Sequence, residues 1–209
     1  MASTINALTG SGGVATTADS SGVLDLQSAG TTIATVSSAG IAMASGKTLT
    51  GDAISSGKIL QVLQTTKTDT FSTTTAIPSF TNITGVSATI TPSATDSKIL
   101  VMVSGGISNS SSGYTGGVNL LRDSTSIYLG DTRGSATRSS AWALTKTSGR
   151  CNMFSITYVD SPSTTSAITY YLQAGTESGG TIVIGGTSAS GGSYNGSFPT
   201  NIILMEVSA

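Results

Sequence analysis

Four carboxylates in the middle of this 209-residue chain, Asp123, Asp131, Asp160 and Glu177, are the groups best suited to do chemistry. Two acids flanking a glycosidic bond are the machinery of polysaccharide cleavage, one protonating the leaving oxygen while the other serves as base or nucleophile. All four nevertheless stand in turn-like contexts, and Asp123 after Arg122 and Asp160 before Ser161-Pro162 are residue types that start turns. The absence of histidine excludes Ser-His-Asp and Cys-His dyads and every His-ligated metal. Cys151 is the single cysteine, so no intrachain disulfide forms, and with no histidine to activate it the expectation is a small buried thiol. The stretch Gly40 to Thr48 ends in Gly46-Lys47-Thr48 like a phosphate loop, but five residues separate its glycines where the fingerprint needs four, and no helical pattern follows. These observations predict no catalytic residue, no cofactor and no metal.

Binding is the better-supported chemistry. Between Arg122 and Arg150, five cations (Arg122, Arg133, Arg138, Lys146, Arg150) face two acids, Asp123 and Asp131, while the whole chain carries −1. Arg138 and Trp142 in this basic stretch suit an anionic surface polysaccharide, because an aromatic face stacks on a sugar and guanidinium forks an acidic group. Packing in a core or at a subunit axis is the competing reading for Trp142. Tyr114 among Ser and Gly, and Tyr194 in Gly-Gly-Ser-Tyr-Asn-Gly, have the composition of binding-loop tips. Near-neutral charge removes the electrostatic drive toward nucleic acid. Asn82-Ile-Thr84, Asn109-Ser-Ser111 and Asn195-Gly-Ser197 match glycosylation acceptors and are expected to be surface loops.

The elements that must position these residues follow from composition. Ser, Thr and Gly number 36, 35 and 26, close to half the chain, and low net charge with slightly positive mean hydropathy is the composition of a folded protein. All eleven aromatics lie from Phe71 onward. Before them, small apolar sets (Val23, Leu24, Leu26; Ile33, Val36; Ile41, Met43; Leu49, Ile54) alternate with glycines about every ten residues, as in repetitive β stalks that bury their apolar face only against further copies. Three parallel copies wound together would bury it. A flexible Gly/Ser/Thr linker is the competing reading.

From Lys58 the runs lengthen. Lys58 to Gln64, the alternating Val86, Ala88 and Ile90, and Val118 to Arg122 with Ser126 to Leu129 around Asp123-Ser124-Thr125 read as strands. So do Phe154 to Tyr158, Ile168 to Leu172, Thr181 to Ile184 and Asn201 to Val207. Ile99 to Val103 is continuously apolar, which predicts a central strand covered on both faces, and is far too short to span a bilayer. Met1 to Gly10 has neither the charge nor the apolar run of a signal peptide. The predicted fold is all-β, with an N-terminal stalk over 1–57 and a jelly-roll-like sandwich knob over 58–209.

The phrases GVLDLQSAGTTIATVSSAG, KILQVLQTTKTDTFSTT, ATITPSATDSKILVMVSGG, FSITYVDSPSTTSAITYYLQAG and NIILMEVSA together resemble appendage proteins of tailed bacteriophages. The resemblance implies a virion structural protein on the tail or capsid exterior, made in the host cytoplasm. It implies a homotrimer, with the N-terminal region attached to another virion protein. The knob would bind host polysaccharide or receptor through Tyr114, Arg138, Trp142 and Tyr194, without membrane insertion. A capsid decoration protein or head fibre stays open as the alternative.

Overall fold

The structure is a computed structural model, which describes residues 23–47, 58–110, 113–144, 150–188 and 195–209. The chain divides into two compact units, Met1–Ser55 and Ser56–Ala209.

In the first unit, β1 (Leu24–Ser28), β2 (Thr31–Ser37) and β3 (Gly40–Met43) form an antiparallel meander in the order β1-β2-β3. Ala29 and Gly30, with φ of 50° and 77°, make the two-residue turn between β1 and β2. The glycine-punctuated strands are present, and within one chain they pair antiparallel. Ala34 is the one hydrophobic residue buried among the described residues here. Leu49 and Ile54 lie outside the described residues.

The second unit carries β4 (Ile59–Lys67), β5 (Phe71–Thr73), β6 (Thr81–Ile90), β7 (Lys98–Asn109), β8 (Thr115–Arg122), β9 (Thr125–Ile127), β10 (Ala141–Leu144), β11 (Cys151–Asp160), β12 (Ile168–Thr176), β13 (Ile182–Ile184) and β14 (Thr200–Val207). Two antiparallel sheets form from them. In one, β6, β12, β8 and β10 lie side by side; in the other β4, β14, β7 and β11 do, with the short β9, β5 and β13 extending the edges. Counting the eight main strands in chain order, the first pairs with the last (β4 with β14), the second with the seventh (β6 with β12), the third with the sixth (β7 with β11) and the fourth with the fifth (β8 with β10). This nested pairing, a long hairpin rolled into two sheets, is the winding of a jelly roll.

Alternation creates the core. Val86, Ala88 and Ile90 of β6, Val118 and Leu120 of β8, and Tyr170, Leu172 and Ala174 of β12 face Val101 and Val103 of β7, Ile156 of β11 and Ile202 and Leu204 of β14. β5 and β10 were not legible as strands: Phe71-Ser72-Thr73 is too short to show a period, and Ala141-Trp142 reads as loop composition.

Two expectations fail here for physical reasons. Asn82 sits on β6, and Asn109 is buried at the end of β7, donating to Thr176 Oγ1 at 3.2 Å, so neither is a loop residue. The run Ile99 to Val103 is central, yet only one of its faces is covered: Ile99, Val101 and Val103 are in the core, while Leu100 is half-buried and Met102 is 37% exposed. Among the described residues, no helix is long and apolar enough to cross a membrane.

Candidate functional site

Asp160, at the end of β11, is buried and accepts from Arg122 Nη1 at 2.7 Å and from Tyr170 Oη at 2.6 Å, both on the opposite sheet. Burial, and then the Asp160 carboxylate, push the Tyr170 phenol far above its ordinary range. Partial desolvation works against the charge on Arg122, but the hydrogen bond to Asp160 outweighs it and raises the guanidinium above its usual value. In the same cross-strand row, Asp160 pairs with Ile99, Ile99 with Glu206, and Glu206 with Gln61.

Glu206 is fully buried, a feature sequence reasoning passed over because it sits in the apolar run of β14. It accepts from Ser93 N and Ser93 Oγ, each at 2.6 Å, and from Gln61 Nε2 at 2.6 Å. Burial alone would raise its pKa; the Ser93 and Gln61 donors overcome that and hold it at about 2. Asp160 pins one sheet to the other, whereas Glu206 ties β14 to its neighbour β4 and to the β6–β7 connection; neither faces solvent. Asp123 turns the β8–β9 hairpin with φ of 50° and accepts from Thr169 N at 2.9 Å, whereas Asp131 and Glu177 are exposed. Among the described residues, no group of His, Cys, Asp or Glu is arranged to hold a metal ion. Cys151 is half-buried rather than buried, and desolvation pushes its thiol up, away from the reactive thiolate.

The outer face of the β6-β12-β8-β10 sheet has a different character. Since Val118, Leu120, Leu172 and Ala174 point inward, Gly117, Asn119, Gln173 and Gly175 point outward. Asn119 stands directly across from Gln173, and Gln173 across from Asn82, whose Oδ1 accepts from Gln173 Nε2 at 2.8 Å. One row along, Trp142, Gly117 and Gly175 are register neighbours. A Cβ on Gly117 would come within 2.7 Å of the Trp142 ring, and one on Gly175 within 2.7 Å of Ser79 O and 3.1 Å of Phe80. Glycine at both positions is what lets the indole and the Pro78–Phe80 segment lie against the sheet.

Over the amide row folds the loop Gly130 to Ser139, closed by Gly130 N donating to Ser139 O at 3.3 Å and by Ala136 N to Arg133 O at 3.0 Å. Arg138 Nε donates to Gly130 O at 2.6 Å. The result is an open cavity of about 480 Å³ lined by Pro78, Phe80, Asn119, Ser126, Arg138 and Gln173 among others. Asn119 is 5% exposed, and its Oδ1 has no hydrogen-bond partner among the described residues.

Of the four residues singled out by sequence, Arg138 therefore lines this cavity and Trp142, 44% exposed, lies on the same sheet face beside it. Tyr114 is elsewhere, half-buried against Gly179 and Gly180. Tyr194 lies outside the described residues. Asn119, Gln173 and Phe80 were missed, although polar amides at the outward positions of two apolar strands were visible in the alternation.

The other sheet presents an apolar outer face. One register row reads Val159, Leu100, Met205 and Val62, and the next reads Thr157, Met102, Ile203 and Gln64, with Val207 beyond. Val62 is 55% and Val159 is 56% exposed. Ser155, Ser104, Asn201 and Thr66 form the following row, and Lys98 is the single charge among the outward residues of these rows.

No family model matches the sequence, and no curated protein does. Among solved structures, the chain is similar to that of the infectious bursal disease virus Gx strain, at TM-score 0.40 and 21% identity over 74% of this chain and 37% of that one. T=1 particles derived from the same virus give TM-score 0.41 and 18% identity over 81% and 43%, and its VP2 subviral particle gives 0.38 and 16% over 81% and 44%. The chain spans less than half the length of each of these proteins.

Proposed function

We propose that this chain is a structural protein of a tailed-phage virion, a homotrimer held on the particle through residues 1–57, whose jelly-roll knob, residues 58–209, meets the host surface. The observation that carries the self-association is the outer face of the β4-β14-β7-β11 sheet, where the continuously apolar run Ile99 to Val103 has only one side covered. Four strands of about nine residues present about 600 Å² in projection. With side-chain relief that approaches the roughly 800 Å² per partner of a stable interface. An apolar centre with a rim of Ser, Thr, Asn and Gln is the anatomy of such interfaces. Nearly uncharged, the face can meet its own copies without repulsion, so a second and third copy of this chain are the occupants.

Two further supports are associational. The sequence phrases resemble phage appendages, and jelly rolls recur in viral shells and in lectins. The host-facing role is assigned to Tyr114, Arg138, Trp142 and Tyr194. The same fold and face would equally serve a capsid decoration protein or head fibre. Replacing Tyr114, Trp142 and Tyr194 by Ala should abolish adsorption to the host if the knob is the receptor binder; adsorption unchanged in a folded trimer would leave the decoration role. Light scattering of the full chain should give three times the 20.7 kDa chain mass. A monomer would overturn self-association, and a dimer the three-fold arrangement.

A further inference from the structure

We infer that the cavity on the β6-β12-β8-β10 sheet is a binding site for an acidic sugar, a uronic acid unit of a surface polysaccharide. The inference deepens the host-facing reading and rests on it. The cavity lies within the 300–1,000 Å³ that small-molecule sites occupy. Its two amides, Asn119 and Gln173, stand on paired strands, so their spacing is fixed by register, while Arg138 is brought over them by the Gly130–Ser139 loop.

The chemistry of the lining selects the ligand. Asn119, 5% exposed, forms part of the cavity lining while its Oδ1 is itself sealed from solvent and unpartnered among the described residues, so it shapes the floor rather than meeting a ligand. Gln173 uses its Nε2 on Asn82 and keeps its carbonyl oxygen for a second donor. The side-chain carbonyl oxygen of Gln173 and the hydroxyl of Ser126 match the hydroxyls of a pyranose, which both give and take hydrogen bonds. Phe80 and Pro78 supply an apolar wall for the C–H face of the ring. No carboxylate lines the cavity, and its one charged group is Arg138. With Nε tethered to Gly130 O, the planar guanidinium presents its two terminal amino groups as a fork for a sugar carboxylate.

The test is saturation-transfer NMR on the full chain with excess D-glucuronate or D-glucose as the probe. Glucuronate ring protons should receive several-fold more saturation than those of glucose. That response should fall several-fold in Arg138→Gln and in Gln173→Ala, with circular dichroism unchanged, and persist in Arg133→Gln, which alters a cation outside the lining. No response to glucuronate, equal responses to both sugars, or an equal loss in Arg133→Gln would overturn the site. Arg138 is exposed, so its variant keeps the inference falsifiable if Gln173→Ala fails to fold. Light scattering on the same samples separates the readings: a trimer without a glucuronate response removes the cavity site alone, and a responding monomer removes the trimer alone.

Discussion

Glu206 is a carboxylate in the core that the fold keeps charged. Its pKa, about 2 in the folded chain against an ordinary 4.5, means that the folded state holds the proton more weakly than the unfolded state. Stability from Glu206 is therefore fully present above pH 4.5 and is lost as pH falls from there toward 2. Glu206→Gln should lower unfolding stability above that window by about 3 kcal/mol, and the difference from the parent should shrink on acidification, as read by urea titrations across pH. A gap independent of pH would contradict the linkage. Asp160→Ala strips the partner from both Arg122 and Tyr170. It should cost about 2–4 kcal/mol, below the figure for a fully buried pair because Arg122 keeps some solvent, and should move the urea midpoint without changing the slope.

At the scale of elements, the two sheets show why some of the fold was legible and some was not. Strands with a clean two-residue period, such as β6 and β12, follow from the sequence because one face is buried and the other is wet. The bend at Asp123-Ser124 is equally direct, since Asp accepts the positive φ found there. The partner of each strand was not legible, because jelly-roll pairing joins residues as distant as Ile59 and Val207. Nor was the cavity, whose Phe80, Asn119 and Arg138 come from three separate segments that register and loop closure bring together. Arg138 and Trp142 were chosen for their chemistry, as was Tyr114, whose half-burial was not legible because it depends on the room that the distant Gly179 and Gly180 leave for its ring. One consequence is optical. Trp142 is the sole tryptophan, and its ring lies on Gly117, so Gly117→Val should push the indole off the sheet and shift its fluorescence to longer wavelength, at a stability cost of about 1–3 kcal/mol. An unchanged spectrum would mean that the ring does not rest there.

For the whole molecule, the proposed trimer accounts for the continuous apolar run of β7 through neighbouring copies. A strand with both faces covered was expected from Ile99 to Val103, and one chain covers just one of them. In the proposed trimer the second cover comes from further copies, a contact that the nearly uncharged, Ser- and Thr-rimmed face suits. The most direct measurement is the solution mass of the full chain beside that of Met102→Glu, a change on the exposed side of β7 that leaves the core untouched. The parent should weigh three chains and the variant one, with the same β-sheet circular dichroism, because a charge at the centre of the face has no partner across it. A parent of one chain mass, or a variant that remains a trimer, would contradict the account.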